Sequence, residues 1–206
     1  MYQRTLTRRA VVTAVAATAL LGLGAAEAEA TAPAAAPKFL AAKELPPHPS
    51  SPWYAGRVTQ GLPDYPVFCL ERGLPSRGAA YREFGTEYDT GAVQLTFKAK
   101  NSVAARDLAT RLRASVRGCA ARFERQNPKG EADWKDYGSI GVENGAHVYG
   151  VHTAHPDSEH GVALYGIGRD GRTVTVVKWS QMGTLKQAPV KAFKKTTKRA
   201  VAKLYG

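Results

Sequence analysis

Cysteine is nearly absent. The chain has two, Cys69 and Cys119, and no C-x-x-C pair, which excludes the usual redox motif and the paired-cysteine zinc sites. Long apolar runs are missing past the first thirty residues, so no later stretch supplies the ~20 residues of a membrane-spanning helix. Acid is missing from one end: after Asp170 there is no Asp or Glu at all. A nucleophile elbow of the G-x-S-x-G type is also missing, since Ser139 stands in Tyr-Gly-Ser-Ile-Gly.

The N-terminus reads as an export segment, residues 1–30. Arg8-Arg9 precede an apolar run from Ala10 to about Leu23, and small-residue sites follow at 26–28 and 28–30. The paired arginines predict twin-arginine export. Ordinary secretion is the alternative, because Val11-Val12 stand where Phe-Leu is usual. The run is short and rich in Ala and Gly, and no cysteine near the cleavage site could carry a lipid. The expected product is secreted and extracellular. In that oxidising setting Cys69 and Cys119 most simply bond to each other; two buried free thiols are the alternative.

Charge points to anionic company. The chain has 29 Lys+Arg against 17 Asp+Glu, net +12. Residues 1–30 hold Arg4, Arg8 and Arg9 against Glu27 and Glu29, so the remainder carries net +11. Such a balance favours nucleic acid, acidic wall polymers or acidic membrane surfaces. Nucleic acid is disfavoured by export and by the lack of aromatics interleaved with the basic residues.

Three regions follow: the export segment, an Ala/Pro-rich stretch over 31–65 read as a flexible tether, and one folded domain over 66–206. Within the domain, Val93, Leu95 and Phe97 alternate with Gln94, Thr96 and Lys98, a half-buried strand. A long helix follows, capped by Asn101 or Ser102, with Ala104, Leu108, Leu112, Val116, Cys119 and Phe123 on one face. Before them lies a strand near Ala80–Thr86. Two hairpins come next: Asn144-Gly145 joins strands near 137–142 and 146–152, and Asp170-Gly171 joins 161–168 to 172–180. The first pairing puts Ile140, Val142, Tyr149 and Val151 on one face, and Tyr137, Ser139, Val148 and His152 on the other. The second puts Val162, Leu164, Val177 and Trp179 together. Pro189 opens a final helix to about Tyr205, with Val190, Phe193, Thr197, Val201 and Leu204 as its apolar stripe. The order ββ-α-ββββ-α gives an α+β domain: an antiparallel sheet of about six strands with two long helices packed on it.

Four features could carry chemistry. The basic face of the last helix, Lys191, Lys194, Lys195, Lys198, Arg199 and Lys203, is a candidate contact for anionic polymers or surfaces; its plainer reading is a solvated helix face. Tyr137, Ser139, His152 and His155 are candidate ligand-binding residues around the first hairpin. Ser139 and His152 share a face in this register and could form a nucleophile–base pair, although no orienting acid is evident. His152, His155, Asp157, Glu159 and His160 are possible metal ligands, but zinc needs three or four converging groups and no known spacing is present. We therefore expect no metal and no cofactor. Gly166-Ile167-Gly168-Arg169-Asp170-Gly171 spells the dinucleotide fingerprint, yet it enters a strand through a turn, where the fingerprint requires a helix.

The strand AVQLTFKA leading into a helix with an inward cysteine (LRASVRGCAARF), then a meander and a closing helix ending AVAKLYG, resembles the PknH-like extracellular sensor domains of actinobacteria, including small secreted relatives, over roughly Tyr81 to Tyr205. That resemblance implies an extracellular, disulfide-braced domain with a ligand cleft and no catalytic residues. This chain has one cysteine pair where the kinase-attached domains have two. The leading expectation is a secreted, non-enzymatic, sensor-like domain that binds an unidentified ligand or envelope component. The alternatives are a cationic envelope-associated protein acting through its last helix, and a secreted hydrolase using Ser139 and His152.

Overall fold

The computed structural model describes residues 36–71, 73–156 and 158–206. The expected export segment and the start of the Ala/Pro-rich stretch lie outside these residues. An antiparallel sheet forms the middle layer. Its strands are β1 (Tyr54–Ala55), β2 (Thr59–Gln60), β3 (Ala79–Gly85), β4 (Gly91–Lys98), β5 (Glu131–Ile140), β6 (Ala146–Ala154), β7 (Gly161–Asp170) and β8 (Thr173–Met182). They run in the order β1-β3-β4-β8-β7-β6-β5, with β2 also pairing β3. Helices α1 (Ser102–Arg117) and α2 (Cys119–Gln126) precede β5, and α3 (Val190–Ala202) closes the domain. The α+β class and the antiparallel meander agree with the sequence pattern.

The expected single helix over 101–127 is two. Asn101 caps α1 by accepting the Ala104 N–H at 2.8 Å, and the helix breaks at Gly118. α1 buries Ala105, Leu108, Leu112 and Val116 against Val93, Leu95, Phe97, Tyr149, Tyr165 and Val176 on one sheet face. A clasp of residues 67–71 runs over the same face. Cys69 and Cys119 are disulfide-bonded, with Cα atoms 5.3 Å apart. The Cys69 carbonyl accepts from Ser115 Oγ (2.6 Å) and Arg122 Nη2 (3.3 Å), and Tyr165 donates to the Phe68 carbonyl (2.9 Å).

The opposite face overturns the tether expected over 31–65. Its described part packs on the domain. Leu40 is fully buried, and Phe39 and Leu45 nearly so. The Leu40 N–H donates to Gln94 Oε1 (2.7 Å), and Gln94 Nε2 donates to Thr175 Oγ1 (3.2 Å). Gln94 and Thr96 were read as the solvent side of β4; both are buried, because this segment and α3 cover them. A short 3-10 turn, Ala42–Glu44, then runs beside α3. Thr196 Oγ1 donates to the Glu44 carbonyl (2.6 Å) and the Lys38 N–H to that of Leu204 (3.1 Å). The folded body therefore begins well before residue 66.

Two of the three glycines of the false fingerprint have a packing reason. A Cβ on Gly166 would overlap Thr197, and one on Gly168 would overlap Val201. Their bareness lets α3 lie close on β7.

The second hairpin keeps the expected faces: Leu164 lies opposite Trp179 and Gly166 opposite Val177. The first does not. Ile140 pairs with Ala146, not Tyr149, because the loop spans 141–145 instead of two residues. Asn144 sits inside a turn over 142–145, closed by the Gly145 N–H donating to the Val142 carbonyl (2.6 Å), and its Oδ1 accepts the Gly171 N–H at 2.7 Å, tying this loop to the neighbouring turn. Further along, a bulge between Asp136 and Gly138 shifts the register again.

Truncating Leu40→Ala removes a fully buried side chain and is expected to cost about 2–5 kcal/mol of unfolding free energy. Urea denaturation checks this; a change within about 0.5 kcal/mol, as at a surface position, would mean residues 36–45 are not part of the core.

Candidate functional site

A groove of about 760 Å³ lies between the segment after the 3-10 turn and the N-terminal half of α3. Leu45 and Pro47 form one wall; Ala188, Pro189, Val190 and Ala192 form the other. Its rim is cationic, with Lys43 on one side and Lys191, Lys195 and Arg199 on the other. The amide end of α3 adds to this field: no side chain caps it, and unpaired N–H groups at a helix start carry partial positive charge. The arrangement suits a molecule with an anionic head and an apolar body.

The lone acid at the groove is Glu44. Its carboxylate meets Lys203 Nζ at 2.5 Å and Arg199 Nε at 3.6 Å, and accepts the Ala41 N–H at 2.7 Å. Burial works against the ionised form, but the Ala41 N–H, Lys203 and Arg199 outweigh it and hold the carboxyl below its ordinary range.

The six basic residues named from sequence thus divide. Lys191, Lys195 and Arg199 line the groove. Lys203 is half-buried in its pair with Glu44. Lys198 is exposed and Lys194 half-buried, neither at the groove. Lys43, Glu44, Leu45 and Pro47 were missed, because Ala/Pro-rich composition was taken as tether. The spaced apolar residues Phe39, Leu40 and Leu45 were the signal that the segment docks.

The four hairpin residues do not form one site. Ser139 pairs with His147 in a row that continues to Ile167, on the α1 side. His152 pairs with Asp133 and Val162, in the row on the α3 side. Ser139 and His152 therefore lie on opposite faces of the sheet, and the nucleophile–base pair does not exist. A register offset of an odd number of residues moves a strand's side chains to the other face. His147 Nε2 meets Asp136 Oδ1 at 2.5 Å and its ring stacks on Tyr149. Tyr137, beside the bulge, packs on Gly150 with the α3-side cluster. His152 Nε2 lies 2.8 Å from His160 Nδ1, and His155 sits edge-on to Phe123, 4.8 Å between centroids. Among the described residues, no three His, Cys, Asp or Glu side chains converge as metal ligands; Asp157 lies outside them.

No protein-family model matches the chain. No curated protein matches it either. Among solved structures, the chain is similar to the extracellular domain of PknH from Mycobacterium tuberculosis, with a TM-score of 0.44 and 14% identity, covering 77% of this chain and 96% of that one. At that distance the likeness assigns no function.

A carboxyl held low contributes stability that is present above its unfolded pKa and lost as pH falls through its folded one. Glu44 should therefore stabilise the domain at neutral pH and progressively less below the ordinary carboxylate range. In Glu44→Gln, denaturation midpoints followed across the acid limb should fall less steeply than in the parent. Parallel curves would show that the carboxylate does not hold the segment to α3.

Proposed function

We propose that this is a secreted, non-catalytic, sensor-like domain that binds a ligand with an anionic head and an apolar body in the groove between residues 43–47 and α3. The observation carrying this reading is the groove itself: apolar walls, a rim with four cations, and an uncapped helix start at one end. The disulfide fits an oxidising compartment. Among the described residues no helix is long and apolar enough to cross a membrane.

A second reading has its own support. Lys191, Lys195, Lys198 and Arg199 are exposed on α3, so the helix could hold an anionic envelope polymer along its outer face. Ionic strength separates the two, since exposed charges are screened within about 8 Å at physiological salt. Polymer adsorption should vanish as salt rises, while a ligand with an apolar body in the groove keeps part of its affinity.

Dodecyl phosphate is a suitable probe, with dodecyl maltoside as the uncharged control. Calorimetry should show saturable one-to-one binding of the phosphate and weaker binding of the maltoside. Lys191→Gln and Lys195→Gln should each weaken the phosphate roughly tenfold, about 1.4 kcal/mol for one charge-assisted contact. Lys198→Gln, away from the groove, should leave it unchanged. Equal affinity for both probes, or equal loss in all three variants, would defeat the groove reading.

A further inference from the structure

Lys178 lies on the sheet face opposite the groove. Parity along β8 sets it there: Val177 and Trp179 join the cluster under α3, and Lys178 turns to the α1 side between Val93 and Tyr165. It is half-buried near the middle of the sheet. Two small cavities adjoin at Lys178 and Ser180. One, of about 210 Å³, lies under Phe68 and over Val151 and Ala163. The other, of about 160 Å³, is bordered by Tyr65, Glu83 and Val93. The clasp that roofs the first is tethered by the Cys69–Cys119 disulfide and by the Tyr165 hydroxyl.

Among the described residues, the ammonium has no ion-paired carboxylate. Within them it donates a long hydrogen bond to Ser180 Oγ, 3.4 Å. Burial pulls its pKa down, against the opposing charge of Glu71 on the clasp. A desolvated lysine spends more of its time as a neutral amine, which is the nucleophilic form. The acids that face it argue against an anionic occupant. Glu71 approaches from the clasp, Glu83 from β3 and Asp89 from the β3–β4 loop. Such groups can instead pass protons during addition to a carbonyl. The larger space, of about 210 Å³, admits a short aliphatic chain.

We propose that Lys178 is a carbonyl-capture site, where a small apolar aldehyde or ketone enters under the clasp and forms an imine with Nζ. The neutral amine adds to the carbonyl carbon, making the C–N bond. The carbonyl oxygen then leaves as water, taking in net the two amine protons. No oxidant or reductant is consumed. The site does not depend on the α3 groove.

Butanal with cyanoborohydride at neutral pH traps the imine as a stable secondary amine, and peptide mass mapping locates it. Lys178 should be the first lysine labelled, ahead of exposed Lys191 and Lys195, and pyrene-1-carboxaldehyde, too large for the cavity, should lose that preference. Lys178→Arg should retain the native near-ultraviolet spectrum and lose the fast adduct while surface labelling continues. Overturning results would be butanal adducts confined to surface lysines, the same preference with the pyrene aldehyde, or a fast adduct surviving in Lys178→Arg.

Discussion

Strands β4, β7 and β8 bury both faces, so the sheet needs a cover on each side. Val93, Leu95, Tyr165, Ile167 and Val176 require one on the α1 side; Val162, Leu164, Val177 and Trp179 require one on the other. Neither helical layer is wide enough alone. α1 and α2 are completed by the disulfide-tethered clasp, and α3 by residues 38–47. The cavities are where these covers meet incompletely: the groove lies at the seam between α3 and the N-terminal segment, and the Lys178 cleft lies beneath the clasp. The seams are where apolar sheet or helix surface meets charged side chains that the cover leaves within reach.

Charge follows the same geometry. The C-terminal part of the chain has no acid after Asp170, so α3 depends on another part of the chain for a counter-charge. Glu44 supplies it, neutralising the Lys203 end of the helix, while among the described residues Lys191 and Lys195 make no ion pair at the other. Cations favour a helix C-terminus, which makes Lys203 a natural place to anchor and leaves the amide end to the rim. One carboxylate thus fastens the segment and makes the groove asymmetric.

Local pattern made much of this fold legible. Alternation along β4 and β8, the helical stripe through Leu108, Leu112 and Val116, and Pro189 before the last helix all indicate the elements found. Where the reading failed, a tertiary partner decided. The second hairpin turns one residue later along each strand than expected, a net register shift of two, and the faces survive. The first shifts by three because its turn closes over 142–145 within a five-residue loop that Asn144 ties to the neighbouring turn, and Ser139 lands opposite His147 instead of sharing a face with His152. Gln94 looks solvent-facing by alternation alone, since nothing within β4 announces that Leu40 will cover it. Composition concealed the groove's second wall, because Ala and Pro dominate the stretch that carries Leu40 and Leu45. Lys178 sits inside Val-Val-Lys-Trp-Ser, where period two gives it a side but not a depth.

The docking of residues 38–47 is the claim on which both the complete core and the groove stand. Native-state hydrogen exchange at the Leu40 amide tests it most directly, because that N–H donates to the buried Gln94 side chain. The account predicts protection comparable to the amides of central β4 and β8, lost only with global unfolding. Exchange at the rate of an unstructured chain, with β4 and β8 still protected, would contradict it.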